Sequence, residues 1–158
     1  MNRLRAFDHV GITVSDLETA TAFFVGLGLE AEGPMSVEGD FIDTVCGIPG
    51  AHTRIVMLRP PGGGTAVELA EFVHPEHTPG SPAAMANELG LRSVAFEVDD
   101  LQAQVDRLAD DGYGLVGGIG RYEGAWLMAY VRGPDGIIVA LAERLTLYTD
   151  RPDDDDGR

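Results

Sequence analysis

Apolar and polar positions alternate between Asp8 and Val14 and predict a strand with two unlike faces. Val10, Ile12 and Val14 occupy one face; His9, Gly11 and Thr13 occupy the other. The period then changes. Leu17, Ala20, Phe24 and Leu27 recur at helical spacing, and Gly28 stands where a helix can end on a left-handed residue. Ser15 with Glu18 reads as a capping box at the start of that helix. The same succession returns further on. Residues 93–98 predict a strand, Leu101, Val105 and Leu108 an inward helical stripe, and Gly112 its end, with Asp99 and Gln102 in the capping-box positions. Laid over each other, the two stretches put His9 on Ser93, Val14 on Val98, Asp16 on Asp100, Leu17 on Leu101 and Gly28 on Gly112.

The remaining segments repeat as well. Residues 30–45 carry a second strand interrupted by Gly33, Pro34 and Gly39, and residues 53–59 and 65–72 read as a hairpin around Pro60 to Gly64. In the second half, strands are expected over 115–122, 126–132 and 137–143, the last two joined by a tight turn at Gly133-Pro134-Asp135-Gly136. Val67-Glu68-Leu69 closes the first half as Val139-Ala140-Leu141 closes the second. The chain is therefore a duplicated β-α-β-β-β unit of the α+β class. Its parts are a first module over 1–72, a linker over 73–91, a second module over 92–145 and an acidic, disordered tail over 146–158, all within one compact domain. The linker carries Pro75, Pro79, Gly80 and Pro82, with a short helical turn expected over 83–89.

Composition narrows the setting. At 158 residues, 44% hydrophobic and with a mean hydropathy of +0.01, the chain suits one ordinary core and has no apolar run that spans a bilayer. There is no secretory h-region at the N-terminus and a single cysteine, so the expected location is the cytoplasm. A net charge of −15 argues against nucleic acid, whose affinity rests on Lys and Arg neutralising phosphates. It would suit a cationic ligand, although Asp153 to Asp156 place part of it in the tail. Three features carry little chemistry. Gly62-Gly63-Gly64 lacks the Lys-Ser/Thr of a phosphate loop, His74 and His77 read as solvated loop residues, and Cys46 reads as a small core filler.

A doubled β-α-β-β-β unit opening with D-H-V-G-I-T-V-S-D-L and closing near R-G-P-D-G-I-I-V-A-L resembles the vicinal oxygen chelate superfamily. That group includes glyoxalase, methylmalonyl-CoA epimerase, fosfomycin-resistance enzymes, extradiol dioxygenases and bleomycin-resistance proteins. The resemblance spans residues 4–145. It implies that each sheet curls into half of a cup, that metal ligands come from the first and last strands of both modules, and that the protein is a homodimer.

Carried over residue by residue, His9 and Glu68 match the first two ligand positions. Ser93 stands where the family has His, and Ala140 where it has Glu. A His and a Glu alone leave an ion mostly hydrated and weakly held, so no cofactor is the expectation. The alternative is one divalent metal (Zn, Mn, Fe, Co or Ni) on His9 and Glu68, completed by Glu97, His52, His74, His77 or Glu123. The resemblance implies first a binder of the bleomycin-resistance type, holding a small, largely apolar or cationic molecule. Its contacts would be Thr13, Ser93, Glu97, Tyr122, Trp126 and Tyr130. The alternative is a lyase, epimerase, isomerase or dioxygenase-like enzyme using His9 and Glu68 as ligands or as an acid-base dyad. Periodicity leaves open whether Trp126, Met128 and Tyr130 or Leu127, Ala129 and Val131 line the site.

Overall fold

Both predicted strand-to-helix joints form, and each begins a separate open sheet in the computed structural model, which describes residues 3–145. The expected acidic tail over 146–158 lies outside the described residues. The first sheet is built from β1 (His9–Thr13), β2 (Glu30–Ala31), β3 (Met35–Glu38), β4 (His52–Arg59) and β5 (Ala66–His74), with helices α1 (Leu17–Gly26) and α2 (Asp40–Cys46). Its order is β1-β5-β4-β2, with β3 also on β4. The second comprises β6 (Ser93–Glu97), α3 (Leu101–Asp110), β7 (Gly120–Tyr122), β8 (Trp126–Arg132) and β9 (Ile138–Arg144), in the order β6-β9-β8-β7. The chain divides into two compact units, Met1–Pro82 and Ala83–Arg158. Among the described residues no helix is long and apolar enough to cross a membrane.

In each module the first and last strands pair in parallel and the other ladders are antiparallel. The registers match. His9 lies opposite Ala66 and Gly11 opposite Glu68; Ser93 lies opposite Ile138 and Ala95 opposite Ala140. In the opening and closing strands the duplication read from the sequence is thus kept residue for residue, and Ser93 and Ala140 do occupy the places of His9 and Glu68.

Period-two alternation gives each sheet one apolar face for its helix. Val14, Val56, Leu58, Val67 and Leu69 are buried in the first module with Leu17, Ala20, Phe23 and Phe24 of α1. Val131, Val139 and Leu141 are buried in the second with Leu101, Val105 and Leu108 of α3. Each of these buried Val, Leu and Phe side chains contributes about 1.5–3 kcal/mol. Leu27 is only half-buried; Phe23 takes the inward place expected for it and meets Phe24 edge to face at 5.1 Å.

The helix caps fall one residue later than the capping boxes predict. Asp16 accepts from the Thr19 N–H and Asp100 from the Ala103 N–H. Glu18 turns to Arg54 and Gln102 to Asp106. The first N–H of each helix is held from across the module, where Glu71 accepts from Leu17 N–H at 2.7 Å and Glu143 from Leu101 N–H at 2.8 Å. The C-terminal ends also match. Gly28 (φ 111°) and Gly112 (φ 90°) adopt the left-handed region, and Leu29 and Tyr113 donate back to Phe24 and Leu108.

Four expectations are corrected. Residues 40–46 are a helix rather than part of a strand; Ile42 is its buried residue, so periodicity gave little signal. Residues 83–89 form turns without a helix, and the strand expected over 115–122 shrinks to Gly120–Tyr122, with Leu115 in an isolated bridge to Val131. Cys46 is exposed instead of filling a core.

Candidate functional site

The face of the first sheet turned away from α1 carries His9, Gly11 and Thr13 of β1 with Glu68 and Ala70 of β5 and Ile55 and Met57 of β4. Glu68 lies across from Gly11 on one side and Met57 on the other. Gly11 offers no side chain, and a Cβ built there would meet nothing within 4 Å, so the space beside Glu68 is open. The carboxylate reaches His9 instead. Glu68 Oε2 stands 3.5 Å from His9 Nε2, both side chains being partly exposed, at 27% and 37%. The other ring nitrogen, Nδ1, is 2.6 Å from Asp8 Oδ2. The hydrogen bond to His9 holds the Asp8 carboxyl below its ordinary range, helped by the positive charge of Arg59.

The second module has other chemistry at these places. Ser93 is half-buried, and Ala140, 3% exposed, presents a methyl group where the first module has a carboxylate. Arg92 replaces Asp8 and pairs with Glu88 at 3.8 Å. Ala129 and Val131 are buried on the α3 side, so Trp126, Met128 and Tyr130 face away from the helix. Tyr122, Trp126 and Arg144 lie in one row across β7, β8 and β9. The Arg144 guanidinium stacks 4.6 Å from the Trp126 ring centre and stands 3.6 Å from Glu97. Tyr130 lies beside Ala140, and Tyr122 is exposed.

The residues present do not complete the family's metal set. Among the described residues no group of three or more His, Cys, Asp or Glu is placed to hold an ion. The substitutes are otherwise engaged or apart. His52 Nε2 is 2.6 Å from Ser36 Oγ, His74 ends β5 opposite His52, and Glu97 pairs with Arg144. His77 is exposed and Glu123 lies in the β7–β8 turn at φ 47°. What remains is a histidine between two carboxylates over an apolar floor of Ile55, Met57 and Ala70, with Thr13 on the same face.

Sequence reasoning missed Asp8 because neighbours along a strand point to opposite faces. Asp8 precedes β1 and escapes that rule. It also missed Glu71, Glu143 and Arg144, whose partners are far along the chain.

Comparison with known proteins agrees with this architecture. A solved glyoxalase family protein from Bacillus cereus is 37% identical, with a TM-score of 0.88 over 91% of this chain and 97% of its own. A glyoxylase/bleomycin resistance protein/dioxygenase domain from a Frankia species shares the fold at 19% identity and a TM-score of 0.64, covering 91% and 95% of the two chains. In sequence, an ethylmalonyl-CoA/methylmalonyl-CoA epimerase from Cereibacter sphaeroides is 31% identical over 141 residues, which are 86% of this chain and 96% of that protein. The family model matching residues 8–130 is that of the glyoxalase/bleomycin resistance protein/dioxygenase superfamily, and the chain belongs to it.

Proposed function

We propose that this protein binds a small organic molecule with a carbonyl-activated carbon, and that His9 and Glu68 move a proton to and from that carbon without a metal. The observation that carries the reading is the 3.5 Å approach of His9 Nε2 to Glu68 on an open sheet face. As the ring takes a proton from carbon, Glu68 offsets the charge that forms on the imidazole, and the same pair returns the proton. Ile55, Met57 and Ala70 supply an apolar floor for the body of the ligand, with Thr13 beside it as a polar contact. Likeness to an epimerase named for two malonyl-type thioesters supports a carbon acid of this kind as the substrate. The active form is a homodimer.

The test is hydrogen exchange at carbon. Methylmalonyl-CoA incubated with the protein in deuterium oxide gains deuterium faster than in buffer, read by mass spectrometry. His9→Ala and Glu68→Ala each slow that gain by about 10²-fold or more. Exchange at the buffer rate, or undiminished exchange in His9→Ala, would overturn the reading.

Ser93 and Ala140 favour a second reading, a carrier of the bleomycin-resistance kind in which the first module keeps the pair only for recognition. Its mark is a ligand that raises the melting temperature and is recovered unchanged.

A further inference from the structure

His9 has two carboxylate neighbours at unequal distances. Asp8 Oδ2 is 2.6 Å from Nδ1, within the range of a charge-assisted hydrogen bond, whereas Glu68 Oε2 at 3.5 Å from Nε2 lies beyond it. We propose that Asp8 is a positioning residue that keeps the His9 proton on Nδ1, so that Nε2 turns its lone pair toward Glu68 and the open face. The inference rests on the reading of His9 as the acid-base residue.

A carboxylate can only accept. Contact at 2.6 Å therefore requires the proton to sit on Nδ1; a proton on Nε2 would set two acceptors against each other at that distance. A neutral imidazole carries one proton, so the hydrogen bond at Nδ1 decides what Nε2 can do.

Asp8 is held in place by its backbone. Its carbonyl accepts from the Ala66 N–H at 3.0 Å, and the preceding Phe7 carbonyl accepts from Thr65 Oγ1 at 3.1 Å. The start of β5 thus clamps the residue that orients His9, and β5 also carries Glu68. The second module shows the group being replaced as a set. Arg92, Ser93 and Ala140 stand where Asp8, His9 and Glu68 stand in the first, although the ladders around them are in matching register. A guanidinium could not accept from an imidazole, and no imidazole is there to orient.

The test is the His9 tautomer, read by long-range proton–nitrogen correlation of ¹⁵N-labelled protein in alkaline buffer, where imidazoles are neutral. Wild type shows the proton on Nδ1, and Asp8→Ala moves it to Nε2. Asp8→Asn, whose amide N–H can itself donate to Nδ1, also lets it move to Nε2. Deuterium exchange at methylmalonyl-CoA falls on the order of tenfold in Asp8→Ala and in Asp8→Asn. A wild-type His9 protonated on Nε2, or a tautomer indifferent to Asp8→Ala, would overturn the proposal. The spectra need no substrate. A tautomer that depends on Asp8 in a protein without exchange therefore supports the positioning role and counts against the acid-base reading alone.

Discussion

The two modules agree where the backbone has to be held and differ where a ligand would be met. Asp16 and Asp100 cap equivalent helices, Glu71 and Glu143 bind their first N–H, and Gly28 and Gly112 end them with the same return hydrogen bonds. On the opposite face, Asp8, His9 and Glu68 answer to Arg92, Ser93 and Ala140. Contacts that satisfy buried or helix-terminal donors have few substitutes, because an unmet backbone group costs about as much as a lost hydrogen bond. Side chains on an open face carry no such debt and can diverge with the chemistry.

Substitutions in pairs test how far the likeness extends. Leu69→Ala and Leu141→Ala, both in fully buried positions of the closing strands, should each lose about 2–5 kcal/mol in denaturant titrations. A loss confined to one of them would show that the frames are alike in geometry and unlike in energy. The residues exchanged between the modules on the face away from the helices should behave asymmetrically. Ala140→Glu forces a carboxylate into a place that is 3% exposed and should cost about 2 kcal/mol or more, whereas Glu68→Ala should cost under about 1 kcal/mol in thermal melts. Equal costs would mean that Glu68 supports the fold. Between these lie Glu71→Ala and Glu143→Ala, each worth about 1–2 kcal/mol from a lost charged acceptor at a helix start. Glu71→Ala should be the larger because Glu71 also meets Arg54 at 3.4 Å.

The duplication was legible because it is written in spacing. The change from period two to helical period after Val14 and after Val98, each helix closed by a glycine, fixes two strand-to-helix joints before any coordinates are seen. Pairing His9 with Glu68 was legible for the same reason, once the closing strand is laid beside the opening one. Three other things were not. The helix over 40–46 presents Phe41 and Val45 to solvent and is bounded by Gly39 and Gly47 at positive φ, so its pattern resembles a broken strand. The capping residue was displaced by one because Ser15-Asp16 and Asp99-Asp100 each offer two acceptors in succession, and composition does not rank them. The stacking of Arg144 on Trp126 depends on the register between β8 and β9, which neither strand encodes alone.

The parallel contact between β1 and β5 sets an order in time. β4 and β5 are joined by a short loop and can zip locally, but β1 meets β5 only after the intervening helix and hairpin strands have been gathered, and such long closures are slow to nucleate. Until that step His9 and Glu68 belong to separate pieces of chain. A nascent or partly unfolded first module therefore has no His9–Glu68 pair, and the proposed exchange chemistry would begin only once β1 has met β5. Recovery of exchange activity during refolding would serve as a clock for closure of the sheet.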